Sequence, residues 1–281
     1  MLCIMHKALL QAAQEPALIG RGHLRARIEL LDALEEALFL TPEASALRQA
    51  IDRLEAINQA LFDDLRDAIM RGDGAAAWQP WSSPATDTSP GYDYRDALVS
   101  GVLRLPEPQG EIAALAPGMV FYQPTPARRI FDLLALCPLR ADDVLVDLGA
   151  GLGHVSMLTA ACSAAASIGI EHEAAYVESA RAAAQALRLE RARFVVGDLN
   201  ELALGGGTVF YLYTPVTGSL LQALIERLRQ EASQRPIRVA SLGPCTAVLA
   251  DAPGFHPLCI EGEHRVALFV VGGDPALPFT R

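Results

Sequence analysis

The stretch VLVDLGAGLGHVSML, residues 144–158, decides the fold. Its first five residues, Val144–Leu148, read as an apolar β-strand. Gly149, Gly151 and Gly153 then break the strand, and the apolar residues that follow return at helical spacing. A strand that turns through glycines straight into a helix is the opening unit of a parallel α/β sheet, with room for a ligand at the turn.

The same alternation continues downstream. Strands are expected at Ser167–Glu171, Arg193–Val196, Val209–Tyr213 and Ile237–Leu242, with helices beginning near His154, Ala174 and Gly218. Apolar strands separated by helices predict a parallel sheet covered on both faces, and right-handed crossovers make it doubly wound. The end of the chain differs. Phe255–Ile260 and Arg265–Val271 are β-like but joined only by Glu261-Gly262-Glu263-His264, which permits a hairpin and no helical crossover. The expected fold class is therefore α/β: a doubly wound, mostly parallel seven-stranded sheet with a C-terminal antiparallel hairpin.

Upstream the chain reads as helices. Leu24, Ile28, Leu31, Leu34 and Leu38 recur every three or four residues up to Leu40. Thr41-Pro42-Glu43 then offers an N-cap and a first-turn proline for a second helix, with Leu47, Ile51, Leu54, Ile57, Leu61, Leu65 and Ile69 on one side. So long an apolar stripe needs a partner, either the rest of the chain or a second copy in a homodimer through these helices. Residues 74–91 are rich in Pro, Ser and Ala and read as a linker or docked loop, with Trp78 and Trp81 arguing for docking. The expected division is an N-terminal helical domain with its linker, residues 1–90, and a ligand-binding domain, residues 91–281, with the boundary near Pro90.

Composition narrows the partners. The chain has 281 residues, 51% hydrophobic, with a formal net charge of −10. That balance repels polyphosphate and speaks against nucleic acid as a partner. Arg188, Arg191 and Arg193 cluster, but at a predicted helix-to-strand turn. The five cysteines are scattered, with no CxxC pair, so no disulfide framework or metal site is expected. A cytoplasmic location fits this cysteine usage, and neither a signal peptide nor a stretch long enough to cross a membrane is read.

The glycine turn indicates the ligand. A dinucleotide loop is spaced G-x-G-x-x-G. Here the spacing is G-x-G-x-G, with His154 after Gly153. Asp147 lies just before the loop, where its charge would repel a pyrophosphate and would suit a ligand carrying an ammonium group. V-L-V-D-L-G-A-G-L-G-H resembles the first motif of class I S-adenosylmethionine-dependent methyltransferases, and the later landmarks of that family follow in order from about Val120 to Gly272. The resemblance implies a Rossmann-like methyltransferase fold and S-adenosyl-L-methionine as cofactor. It implies that Asp147, Gly149, Ala150, Gly151 and Gly153 form the first cofactor contact. Glu171, with His172 beside it, ends the second strand and would hold the ribose hydroxyls. Gly197, Asp198 and Leu199 would meet the adenine. The lead-in segment Phe121-Tyr122-Gln123-Pro124-Thr125-Pro126, ahead of a helix at Ala127–Leu136, is similar to one in Dot1-like members, where it closes over the methionine part. That brings Tyr122 and Thr125 into the site, although Thr125-Pro126 also reads simply as a helix cap and first residue.

The acceptor is less legible. The fourth strand ends in Tyr211-Leu212-Tyr213-Thr214-Pro215, without the Asn/Asp-Pro-Pro-Tyr of enzymes that methylate base amines. Tyr211 and Tyr213 fall on one face and are the candidate catalytic residues, with ordinary strand packing as the competing reading. The expected function is methyl transfer to a small-molecule or protein acceptor. The alternative is a non-catalytic protein that binds S-adenosylmethionine or S-adenosylhomocysteine and acts through its helical domain. The N-terminal helices and the Trp78/Trp81 segment could cover the acceptor site or form a dimer surface.

Overall fold

The computed structural model describes residues 2–83, 91–110, 112, 115–199, 201, 204 and 206–272. Its first helices are α1 (Leu2–Ala12), α2 (Leu24–Leu40) and α3 (Ser45–Met70). The stripe read from the sequence is the side on which they pack. Leu31, Leu34, Leu47, Ile51 and Leu54 share one buried cluster, while Leu24, Leu61, Leu65 and Ile69 enter a larger one. Thr41-Pro42-Glu43 does not start α3, contrary to expectation. The cap position of α3 is Ala44, and the Thr41 hydroxyl donates to the Ala37 carbonyl at 2.7 Å, closing the end of α2. A hydroxyl can satisfy either end of a helix, and here the orphaned carbonyl took it.

The expected linker begins as a helix, α4 (Gly74–Trp78). Trp78 is fully buried with its ring 5.7 Å from that of Phe131, and Trp81 is buried with it. Both indoles lie in one apolar cluster with Leu98, Phe131 and Met157, so packing continues across residue 90. Residues 84–90, including the expected boundary at Pro90, lie outside the described residues.

Helix α5 (Tyr94–Leu103) was not legible as a periodic pattern. It starts on a capping box in which Asp93 accepts from the Arg95 amide at 2.8 Å and Asp96 accepts from the Asp93 amide at 2.6 Å. Helix α6 (Ala127–Leu136) falls where expected, but Thr125 does not cap it. Pro126 occupies the cap position, and Asp96 Oδ1 accepts from the Ala127 amide at 2.7 Å. The cap thus comes from α5, a long-range partner that no local reading finds. The freed Thr125 hydroxyl serves the cavity described below.

The sheet comprises β1 (Val144–Leu148), β2 (Ala166–Glu171), β3 (Ala192–Val196), β4 (Val209–Tyr213), β5 (Ile237–Leu242), β6 (Phe255–Cys259) and β7 (Ala267–Val271), in the order β3-β2-β1-β4-β5-β7-β6. The first five strands are parallel. β7 inserts antiparallel between β5 and β6. This is the doubly wound sheet with a closing hairpin that the sequence predicts. β7 begins at Ala267 rather than Arg265, because Arg265 turns to ion-pair with Glu261 and Asp132.

Alternation along the strands builds two cores. Leu145, Val209 and Tyr211 face a cluster shared with α7 (His154–Cys162) and α8 (Ala174–Ala186). Val146, Leu148, Phe210 and Leu212 face the opposite cluster, under α9 (Gly218–Ala232) and the unforeseen short helix α10 (Cys245–Ala250). β1 has β2 on one side and β4 on the other. The chain reverses its winding at that point, and the carboxyl ends of these strands open a crevice. No helix among the described residues is long and apolar enough to cross a membrane.

Candidate functional site

The crevice is a cavity of about 710 Å³. Asp147, Gly149 and Ala150 line it from the end of β1, Glu171 and His172 from β2, and Asp198 and Leu199 from the turn after β3. Tyr211 and Tyr213 enter from β4, and Tyr122 and Thr125 from the lead-in segment. Gly151, Gly153 and Gly197 do not reach the cavity surface, and the packing explains each case.

Gly151 has φ +52°, in the left-handed region where glycine is favoured. A Cβ added there would lie 2.0 Å from Cε2 of Tyr122, so the tyrosine ring lies directly on the loop. The same ring stands 5.0 Å from that of Tyr176, a contact absent from the sequence reading. Gly153, at φ +81°, lets α7 seat against β3: a Cβ would meet the Phe194 ring at 2.4 Å. Gly197 acts through its backbone, its amide donating to the Glu171 carbonyl at 2.9 Å and keeping the ends of β2 and β3 level.

Glu171 is anchored by two amides. Oε2 accepts from the Gly151 amide at 2.7 Å and Oε1 from the Glu173 amide at 2.9 Å. A carboxylate oxygen has further acceptor capacity, so the group stays oriented and can still receive two hydroxyls. It also ties the glycine loop to β2.

Asp147 is 3% exposed, and its Oδ2 has no hydrogen-bond partner among the described residues. Burial pushes its carboxyl up to about 8; the nearby Glu171 charge adds to this and the Ser156 hydroxyl opposes it. Such a group lacks a cation. His154 lines the same cavity, and burial pushes its imidazole down to about 4, so it is neutral at ordinary pH.

Tyr211 sits beside Asp147 in the β1–β4 register and is 1% exposed. Its hydroxyl shares a 3.2 Å hydrogen bond with Thr125 Oγ1. Burial holds the Tyr211 phenol well above its usual range and raises that of half-buried Tyr213, so both remain protonated. Thr214, next in the chain, has φ +41°, a strained value for a β-branched residue. Its hydroxyl donates to the Leu242 carbonyl at 3.1 Å and accepts from the Cys245 amide at 3.2 Å, holding the turn that brings Pro215 to the cavity.

The lead-in segment is pinned to this turn. Met119 pairs with Val216 in an antiparallel bridge, the Val120 amide donates to Pro215 and the Thr217 amide to Gly118. One isolated bridge leaves no periodicity to read in a sequence. Among the described residues none before Ile112 lines the cavity, so the described N-terminal helices do not reach it, and Trp78 and Trp81 are core residues. No group of three or more His, Cys, Asp or Glu side chains among the described residues could hold a metal.

No protein-family model and no curated protein matches this chain. Among solved structures, it is similar to an RNA methyltransferase from Salinibacter ruber in complex with S-adenosyl-L-homocysteine, at 25% identity, covering 56% of this chain and 97% of that one, with a TM-score of 0.42. It is also similar to the Pyrococcus abyssi tRNA (uracil-54, C5)-methyltransferase in complex with S-adenosyl-L-homocysteine, at 19% identity, over 53% of this chain and 39% of that one, with a TM-score of 0.42. The C-terminal domain of precorrin-6Y C5,15-methyltransferase from Rhodobacter capsulatus is 20% identical over 55% of this chain and 93% of its own, with a TM-score of 0.40.

Proposed function

We propose that this chain binds S-adenosyl-L-methionine in the β1–β4 crevice and transfers its methyl group to a small-molecule or protein acceptor. The observation that carries the reading is the buried, partnerless Asp147 oxygen beside a second acid at the mouth of a glycine turn. No Lys or Arg is among the described residues lining the cavity. That set of groups is wrong for a pyrophosphate and right for a ligand that brings one ammonium and a pair of hydroxyls.

In this reading Asp147 holds the ammonium and Glu171 the ribose hydroxyls, with Gly149 and Ala150 as the backbone floor. Asp198 and Leu199 meet the adenine, with His172 flanking the pocket. Tyr122 and Thr125 close over the methionine part. The bound sulfonium supplies the electrophile. The chain's own work is to align the acceptor and exclude water. Tyr211 and Tyr213 stay protonated and orient the acceptor through their rings and hydroxyls. A catalyst needs open space after the fourth strand, where a pure binder can be filled in, and Tyr213, Thr214, Pro215 and Val216 all face the cavity. This supports the enzymatic reading, with residues 1–90 as a helical domain beside the cofactor-binding domain of residues 91–281.

Glu171→Ala removes an acceptor for two hydroxyls. Hydrogen bonds to a charged group are worth about 1.5–3 kcal/mol, so affinity for S-adenosyl-L-homocysteine should fall roughly 10- to 150-fold. Calorimetric titration checks this. An unchanged dissociation constant would remove the ribose assignment.

A further inference from the structure

The acceptor end of the cavity has a chemistry of its own. Ile112, Leu115, Val120 and Phe121 all line the cavity, yet each is substantially exposed, Phe121 by 79%. Four large apolar side chains held in water around one opening are not the usual surface of a folded chain, and such clusters mark binding mouths. Further in, Met119, Val216 and Leu220 continue the apolar wall. This wall is preformed. The Met119–Val216 bridge fixes it, and a Cβ on Gly118 would already lie 3.1 Å from the Leu220 side chain.

The charges in the cavity are one-sided. Among the described residues that line it, Asp147, Glu171, Glu173 and Asp198 are acidic and none is Lys or Arg. An anionic acceptor entering here would shed water and find no cationic side chain among the described lining residues to replace it. A nucleic acid would need its phosphates neutralised, and these walls offer nothing to do so.

Resting on the cofactor reading above, we infer that the methyl acceptor is an apolar small molecule without anionic groups, admitted through the Ile112–Leu115–Val120–Phe121 mouth and seated against Met119, Val216 and Leu220. Its apolar body supplies the affinity, and the alignment of its nucleophilic atom is left to Tyr211 and Tyr213.

The test uses the full-length chain saturated with S-adenosyl-L-homocysteine and three calorimetric probes: 2-naphthylmethanol, 2-naphthoate and adenosine monophosphate. The naphthyl alcohol should bind at least tenfold tighter than the naphthoate, and the nucleotide should not compete with it. Leu220→Arg should weaken alcohol binding at least tenfold while affinity for S-adenosyl-L-homocysteine stays within twofold. Equal or tighter binding of either anion overturns the inference, as does failure of the alcohol to bind. An alcohol affinity unchanged by Leu220→Arg also overturns it, because the probe is then seated elsewhere. Repeating the titrations without S-adenosyl-L-homocysteine separates the two readings. If that ligand does not bind, the cofactor reading fails, while the apolar site stands or falls on the probes alone.

Discussion

Asp147→Asn is expected to make the ligand-free protein harder to unfold at alkaline pH and, at the same time, poorer at binding its cofactor. The carboxyl is raised from 3.8 to about 8 by burial and by Glu171. Its folded form therefore holds a proton that its unfolded form has lost between those values. The sign follows directly. The stability contributed by that proton is fully present below pH 4 and is lost progressively as pH rises to 8. Asparagine is neutral throughout and loses nothing. One pH unit of difference in proton affinity is about 1.4 kcal/mol, so the rise from 3.8 to about 8 sets an upper limit of about 6 kcal/mol on what the variant gains over the native chain at pH 8.5, and it gains nothing at pH 4. Urea denaturation midpoints at the two pH values measure this. The cofactor effect runs the other way. An amide cannot balance an ammonium, so affinity for S-adenosyl-L-homocysteine should fall at pH 8.5, and the difference should narrow toward pH 6, where the native carboxyl must first give up its proton. A variant less stable than the native chain at pH 8.5, with unchanged affinity, would mean that Asp147 is only a packed polar residue.

Gly151→Val should cost more in binding than any other single change at this site. Valine at φ +52° is strained by about 1–2 kcal/mol. Its Cβ would sit where the Tyr122 ring now lies, so the ring must leave the loop. The Gly151 amide that holds Glu171 would move with the strain. The strain lowers folding stability, whereas binding loses both the cover of the Tyr122 ring and the hydrogen bonds of a misplaced Glu171, about 1.5–3 kcal/mol, so affinity should fall by more than the roughly 10- to 150-fold of Glu171→Ala. The chain should still fold, because the loop borders the cavity and the sheet clusters are untouched, and circular dichroism melting checks this. Gly151→Val/Tyr122→Ala relieves the collision and keeps the strain. It should recover only part of the affinity.

What the sequence disclosed follows from what is local. β1, β4 and β5 fall at the residues read from hydrophobic patterning, and helices α6, α7, α8 and α9 begin where turn and periodicity signals place them. Those signals lie within a few residues of the element they define. Long-range features stayed hidden. Asp96 capping α6, Thr41 closing α2 rather than opening α3, and Trp78 packing on Phe131 each join residues whose proximity exists only after folding. In the site, Asp147, Glu171 and Asp198 could be placed from their order at successive strand ends. The contact of Tyr122 with Gly151 and Tyr176, and the apolar mouth made by Ile112, Leu115, Val120 and Phe121, could not. They depend on a segment pinned by a single bridge to the turn after β4. The two tyrosines of β4 show both readings at once: Tyr211 is core by burial and lines the cavity by position.

The most direct measurement is a calorimetric titration of the native chain with S-adenosyl-L-homocysteine at pH 7, repeated in two buffers of different ionisation enthalpy, with NAD⁺ titrated alongside. One saturable site per chain is expected, with release of about one proton as the Asp147 carboxyl meets the ligand's ammonium, and no saturable heat from NAD⁺. Saturable NAD⁺ binding with none for S-adenosyl-L-homocysteine would contradict the cofactor assignment and everything built on it.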